Sequence, residues 1–179
     1  LTNVVTVREG PWRKPGLLEA ALVFEGLTVE MIADNRHLPP TLMKLAVKCV
    51  DPDRLCAVSD ATSGALLPEG STFQMGAMSY EVRDGVGMMC DRTSFGGRTT
   101  LLSKMLPILR DVVGVPLPEA VLMCSLTPAR IVGWGDRIGS IAAGKLADLA
   151  VGVPTRVGTF RFHSQVIICA SSYSQSPYS

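Results

Sequence analysis

Two apolar segments, each ending in an aspartate and separated by a helix-like stretch, most constrain what this chain can fold into. "LTVEMIAD" (Leu27 to Asp34) and "LCAVSD" (Leu55 to Asp60) read as short buried strands, because apolar and β-branched residues run together until turn residues follow. Between them, "PPTLMKLAVKCV" sets Leu42, Leu45, Ala46 and Cys49 at helical spacing, with prolines at the entry. Strand, helix and strand with short connections form a βαβ unit, hence parallel strands and an α/β fold. The acids then stand where strands end. At the end of a strand a carboxylate can cap the turn by accepting backbone N–H bonds. It can equally serve catalysis, because the carboxyl ends of strands in α/β proteins open into ligand sites. For Asp60 both readings stand on position alone.

The rest of the chain mixes patterns. Pro15-Gly16 opens a helical segment, "GLLEAALVFEG", closed by Gly26. In "MSYEVRDGVGMMC" the alternation of Met78, Tyr80 and Val82, then Asp84-Gly85, then Val86, Met88 and Cys90 predicts an antiparallel hairpin outside the βαβ series. "TTLLSKMLPILRDVVG" predicts a helix kinked at Pro107 and ended by Gly114. "PLPEAVLMCSL" predicts another, and "TPARIVG" a short one with Thr127 as its N-cap. "DRIGSIAAGKLADLAV" reads as turns leading into a strand. The tail from Pro154 shows no periodicity that assigns it an element.

The length of 179 residues suffices for a domain with a real core. Seventeen basic residues oppose sixteen acidic ones, and a net charge of +1 argues against nucleic acid or a membrane surface as partner. No apolar run approaches the ~20 residues of a membrane span. The start, "LTNVVTVREG", lacks the features of a signal peptide and an initiator Met, as expected of a chain beginning mid-gene or after trimming. Cys49, Cys56, Cys90, Cys124 and Cys169 form no C-x-x-C pair, so neither a zinc knuckle nor a redox motif is signalled, and free thiols point to the cytoplasm.

The segment "SLTPARIVGWGDRIGSIAAGKLADLAV", with its form G-x-I-x-x-G-x-x-A-D-L, resembles the closing segment of metal-dependent amidohydrolases. Together with "GLTVEMIADNRHLPP", "PDRLCAVSDATSG" and "DRTSFGGRTTLLSKML", it makes the chain similar to the N-acetylglucosamine-6-phosphate deacetylase family from about Leu1 to Val151. That resemblance implies the C-terminal part of a (β/α)8 TIM barrel over residues 1–133, with a hairpin insertion at about 72–90. Residues 134–153 become a strand of a small β-sandwich domain, and 154–179 are an unmatched tail. Removal of the acetyl group from N-acetylglucosamine 6-phosphate is the implied activity, in a cytoplasmic homodimer whose partner is the phosphorylated amino sugar.

Residue by residue, the resemblance gives Asp60, in its "V-S-D-A" setting, the catalytic acid–base role. It would take a proton from a metal-bound water and pass it to the leaving amine. His37 matches a substrate-contacting histidine, although Asn35 stands where the family has Gly. Asn3 and Val4 match a phosphate-touching triplet in which only the Asn is kept. Arg13 in "WRKPG" matches a basic phosphate ligand, with Arg8 competing across a longer loop. Ser94, Phe95 and Gly96 match a substrate-covering loop, and the glycines there also suit a turn that cradles an anion. Asp34 reads as a loop cap. His163 falls in the unmatched tail and receives no role. A divalent metal, zinc or iron, is implied for the full-length enzyme, with one ligand immediately before Leu1 and others upstream. His37, His163 and scattered acids do not have metal-ligand spacing, so this segment is expected to hold no metal by itself. Two other readings compete: an amidohydrolase acting on a different N-acyl sugar, and a non-catalytic truncated barrel module.

Overall fold

A computed structural model describes residues 7–9, 12–154 and 160–167. Its centre is the βαβ unit. Strand β3 (Val29–Ile32) pairs in parallel with β4 (Leu55–Val58), in the register Met31 to Ala57 and Ile32 to Val58. Helix α2 (Pro40–Cys49) joins them, and the Arg54 guanidinium donates to the carbonyls of Phe24 and Leu27, fastening the approach to β3 from helix α1 (Leu17–Val23). The face of α2 that packs is not the one its leucines mark. Met43, Ala46 and Val50 are buried, while Leu42 and Leu45 are exposed. Several stripes of this helix are apolar, and spacing alone does not choose between them.

The remaining helices cover that unit. After a 3-10 turn (Leu102–Lys104) and the short α3 (Met105–Pro107), the chain widens into a π-helical turn, Ile108–Val113, and Gly114 ends it at φ 89. The break falls at Pro107, where the missing N–H interrupts the helical ladder. Helices α4 (Leu117–Cys124) and α5 (Leu126–Ile131) follow with only Ser125 between them. Thr127 is therefore not the N-cap. It lies inside the first turn of α5, fully buried, and its hydroxyl donates to the Pro52 carbonyl at 2.7 Å. Met31, Met43, Leu55, Met105, Leu109 and Met123 are the large side chains fully withdrawn from water in this core.

The expected hairpin is present as β6 (Met78–Arg83) and β7 (Val86–Met89), which turn at Asp84-Gly85. It is the middle of a larger element. β5 (Thr72–Met75) and β8 (Phe95–Arg98) flank it in a four-stranded antiparallel meander, β5-β6-β7-β8. The meander has its own small core of Phe73, Tyr80 and Val82.

At the N-terminal side, β1 (Val7–Glu9) pairs antiparallel with β2 (Trp12–Lys14). The G-K-L-A-D-L motif is a folded turn in which the Lys145 ammonium donates to the Gly135 carbonyl and to Ser140 Oγ. It leads into β9 (Asp148–Pro154), which pairs antiparallel with β10 (Phe160–Ile167). A strand thus occupies part of the tail that showed no periodicity. Among the described residues no helix is long and apolar enough to cross a membrane.

Candidate active site

Continuing the parallel register by two residues sets Asp34 and Asp60 at the same level, just beyond the carboxyl ends of β3 and β4. Between them stands His37. Its Nδ1 lies 2.7 Å from Asp34 Oδ2, and its Nε2 lies 3.3 Å from Asp60 Oδ2. A carboxylate, an imidazole and a second carboxylate therefore run from the interior to the surface. Asp34 is wholly buried, His37 is 11% exposed and Asp60 is 45% exposed.

Local backbone chemistry sets this up. Asp34 Oδ1 accepts the N–H groups of Arg36 and His37, both at 2.9 Å, so it caps the turn as expected and orients His37 with its other oxygen. Asn35 sits at φ 57. Left-handed backbone favours Gly first and Asn next, which explains how Asn replaces the family's glycine there. Asp60 also sits in the left-handed region, at φ 52. The hydrogen bond that closes the turn after it runs from the Ala61 N–H to Ser59 Oγ, at 3.3 Å. The Asp60 carboxylate is left to face His37.

The meander supplies the other wall. Strand β8 docks on the Asp60 loop: the Arg98 N–H donates to the Asp60 carbonyl at 2.8 Å, and the Arg98 carbonyl accepts from the Thr62 N–H at 2.9 Å. Such an approach demands glycine beside it. Gly97 has φ 67, and a Cβ there would lie 2.5 Å from Thr62 Cγ2 and 2.8 Å from the Asp60 carbonyl oxygen. The Phe95 ring meets the His37 ring edge-on, with centroids 4.8 Å apart.

The expected residues separate clearly. His37, Asp60 and Phe95 come together. Ser94 and Gly96 do not: the Ser94 hydroxyl donates to Met89 Sδ, and a Cβ on Gly96 would fall 2.7 Å from the Tyr80 ring. The segment expected to be a loop is strand from Phe95 onwards. Arg13 lies on β2 opposite Arg8, its register partner. Asn3 and Val4 lie outside the described residues. Sequence reading missed Arg98, whose buried guanidinium Nε lies 3.3 Å from Asp34 Oδ2. No periodicity marks it; an arginine two residues past a suspected substrate loop was the only signal. Burial pushes its pKa below the ordinary arginine range, Asp34 pushes it back up, and Arg36 acts in the same direction as burial.

The donor set does not fit a metal. His37 Nε2 is the one imidazole nitrogen aimed at Asp60, Asp34 Oδ1 is taken by two backbone N–H groups, and Asp34 Oδ2 faces the His37 ring with a guanidinium beside it. Among the described residues no group of three His, Cys, Asp or Glu side chains is placed to hold an ion. An apolar groove of about 910 Å³ between α4, α5 and residues 138–150 lies elsewhere and includes none of these residues.

The sequence profile of the amidohydrolase family matches residues 14–162. The chain is 34% identical over 143 residues to the N-acetylglucosamine-6-phosphate deacetylase of Vibrio furnissii, covering 76% of this chain and 34% of that protein. It is 33% identical over 140 residues to the putative N-acetylgalactosamine-6-phosphate deacetylase of Escherichia coli K12, covering 76% of this chain and 80% of that one. Among solved structures, the N-acetylglucosamine-6-phosphate deacetylase of Pasteurella multocida is similar at a TM-score of 0.72 and 28% identity, over 82% of this chain and 37% of that chain. The Mycobacterium smegmatis enzyme, solved in complex with N-acetyl-D-glucosamine-6-phosphate, matches at 0.72 and 25%, over 87% and 42%. The chain thus spans about a third of the length of the Vibrio furnissii relative.

Proposed function

Because the chain belongs to the amidohydrolase family, we propose that it forms the part of a hydrolase that removes the acetyl group from N-acetylglucosamine 6-phosphate, giving glucosamine 6-phosphate and acetate. The carrying observation is the Asp34–His37–Asp60 chain at the carboxyl edge of the parallel strands. In this reading β3 and β4 are neighbouring strands of a (β/α)8 barrel and residues 134–153 enter a small β domain. The divalent metal expected for the whole enzyme, zinc or iron, takes its ligands from outside the described residues. The enzyme works as a homodimer in the cytoplasm.

Asp60 is the acid–base group. It is exposed enough to meet substrate and has no capping duty to abandon. As water adds to the acetyl carbon, Asp60 accepts the proton that the water loses. When the C–N bond breaks, it returns that proton to the departing amine, so the products leave as acetic acid and a neutral amine, and the acid's proton then passes to the more basic amine to give acetate and an ammonium group. His37 holds the sugar beside Asp60, and Phe95 restricts the ring from one side. Asn3, Val4 and Arg13 take the phosphate, for which arginine's paired donors are suited. Ser94 and Gly96 support that wall from behind.

The similarity to N-acetylgalactosamine-6-phosphate deacetylases at 33% identity favours a second reading, the galacto epimer as substrate. One experiment addresses both. In the full-length enzyme carrying this segment, Asp60→Asn is expected to lower turnover of either sugar phosphate by roughly 10² or more, a typical general acid–base contribution, with unchanged folding. Turnover within a few-fold of the parent returns Asp60 to a structural role, and a parent without turnover on either sugar phosphate favours the non-catalytic module. A higher kcat/KM of the parent for the galacto sugar moves the assignment to the epimer.

A further inference from the structure

Four groups close a ring around the site, and Arg98 stands at both of its ends. Its backbone N–H donates to the Asp60 carbonyl at 2.8 Å. Asp60 Oδ2 faces His37 Nε2, His37 Nδ1 faces Asp34 Oδ2, and that same oxygen lies 3.3 Å from Arg98 Nε. The guanidinium is 8% exposed, its Nε–H donates to Thr100 Oγ1 at 3.2 Å, so its contact with Asp34 is one of charge, and its Nη1 has no hydrogen-bond partner. A buried cation with an unpaired donor is costly to retain, and apolar packing at such a position is often no less stable. What the charge does here is oppose one anion, Asp34.

We propose that Arg98 is a positioning residue: its guanidinium holds the Asp34 carboxylate and thereby fixes which nitrogen of His37 bears hydrogen and which is presented to Asp60. Asp34 Oδ1 is occupied by two backbone N–H groups, so Oδ2 is the oxygen left for His37 and Arg98. Held there as an acceptor, it keeps the hydrogen on Nδ1 and turns Nε2 toward Asp60. The charged groups around the ring are Asp34, Asp60 and Arg98, with Arg36 acting on Arg98 from the Asp34 turn.

This rests on the reading that His37 and Asp60 face substrate, but the test involves no turnover, so either can fail without the other. The 179-residue chain contains only two histidines, and His163→Gln assigns the His37 ring in long-range proton–nitrogen correlation spectra of ¹⁵N-histidine-labelled protein. The parent is expected to carry hydrogen on Nδ1. Arg98→Met should reduce the preference for that arrangement roughly tenfold, the scale on which an opposite charge within ~4–6 Å biases a proton's position. Arg98→Lys, which keeps the charge, should restore most of it. Asp34→Asn is the control, since an amide donor facing Nδ1 drives the hydrogen to Nε2. A parent ring without hydrogen on Nδ1 overturns the proposal, as do parent-like spectra in Arg98→Met. Equal losses in Arg98→Met and Arg98→Lys overturn it too, because they mark packing alone. If Arg98→Met does not fold, Arg98→Gln is compared with Arg98→Lys on the same signals.

Discussion

The parallel unit β3–α2–β4 buries Met31, Met43 and Leu55 completely against the helices of residues 102–131, whereas the meander β5–β8 gathers only Phe73, Tyr80 and Val82 around its own centre. Each fully buried apolar side chain contributes ~1.5–3 kcal/mol, so the first region has ample means to hold itself and the second has little. The site draws on both. Asp34, His37 and Asp60 come from the strongly packed unit, while Phe95 and Arg98 come from the meander, fastened mainly by backbone contacts at Gly97 and Arg98. The Asp60 carboxylate therefore stands on the rigid side, and the wall facing it is held by a joint.

The largest expected effect tests the asymmetry itself. Leu55→Ala should cost ~2–5 kcal/mol, because a fully buried leucine leaves a cavity between β4 and the helices. Val82→Ala removes less and sits in a smaller cluster, so it should cost about 1.5 kcal/mol. Urea unfolding of both variants makes the comparison. Equal losses would mean that the meander is as integral to the fold as the βαβ unit.

Next in size is the joint. Gly97→Ala forces a Cβ against Thr62 and the Asp60 carbonyl at a positive φ, a strain of ~1–3 kcal/mol. Relief requires β8 to draw away from the Asp60 loop. Hydrogen exchange should then accelerate at the amides of Thr62 and Arg98, which bond across the joint, and stay slow at Met31 and Cys56 in the parallel pair. Unchanged protection at Thr62 and Arg98 would show that the meander is docked by other contacts.

The same contrast separates what was legible in the sequence from what was not. The βαβ unit, the Asp84-Gly85 hairpin and the Gly114 stop were legible because each rests on a local rule of periodicity or turn chemistry. The buried face of α2 was not, since Met43 and Leu42 are equally apolar and only tertiary packing chooses between them. Thr127 was misplaced because nothing local announces that α5 starts one residue after α4 or that the Pro52 carbonyl waits for its hydroxyl. At the site, Asp60 was legible as an acid ending a strand, and His37 through its resemblance to a family segment. Arg98 was not, because its role depends on β8 crossing to the Asp60 loop, a long-range pairing that no short window contains.

The smallest effect appears only at alkaline pH and again divides the regions. Burial raises the thiol of Cys56 on β4 to about 11, with Glu30 adding to the shift, and that of Cys124 on α4 to about 12, with Cys56 adding to it. Cys49 at the end of α2 and Cys90 beyond β7 are exposed. Below the ordinary thiol value of 9.0, folded and unfolded chains hold the same thiol protons, and these groups contribute nothing to pH dependence. Above it, the unfolded chain loses protons that the folded chain keeps. Stability therefore falls as pH rises, with a limiting slope of about 1.4 kcal/mol per pH unit for each thiol. The variant Cys56→Ala/Cys124→Ala should flatten the loss of unfolding midpoint above about pH 9, whereas Cys49→Ala/Cys90→Ala should not. Alkylation of the folded chain near neutrality should modify Cys49 and Cys90 well before Cys56 and Cys124, with denaturant abolishing the difference. Early modification of Cys56 would mean that β4 opens to water in the folded chain, and the contrast between a closed parallel unit and a loosely jointed meander would fail at its stronger member.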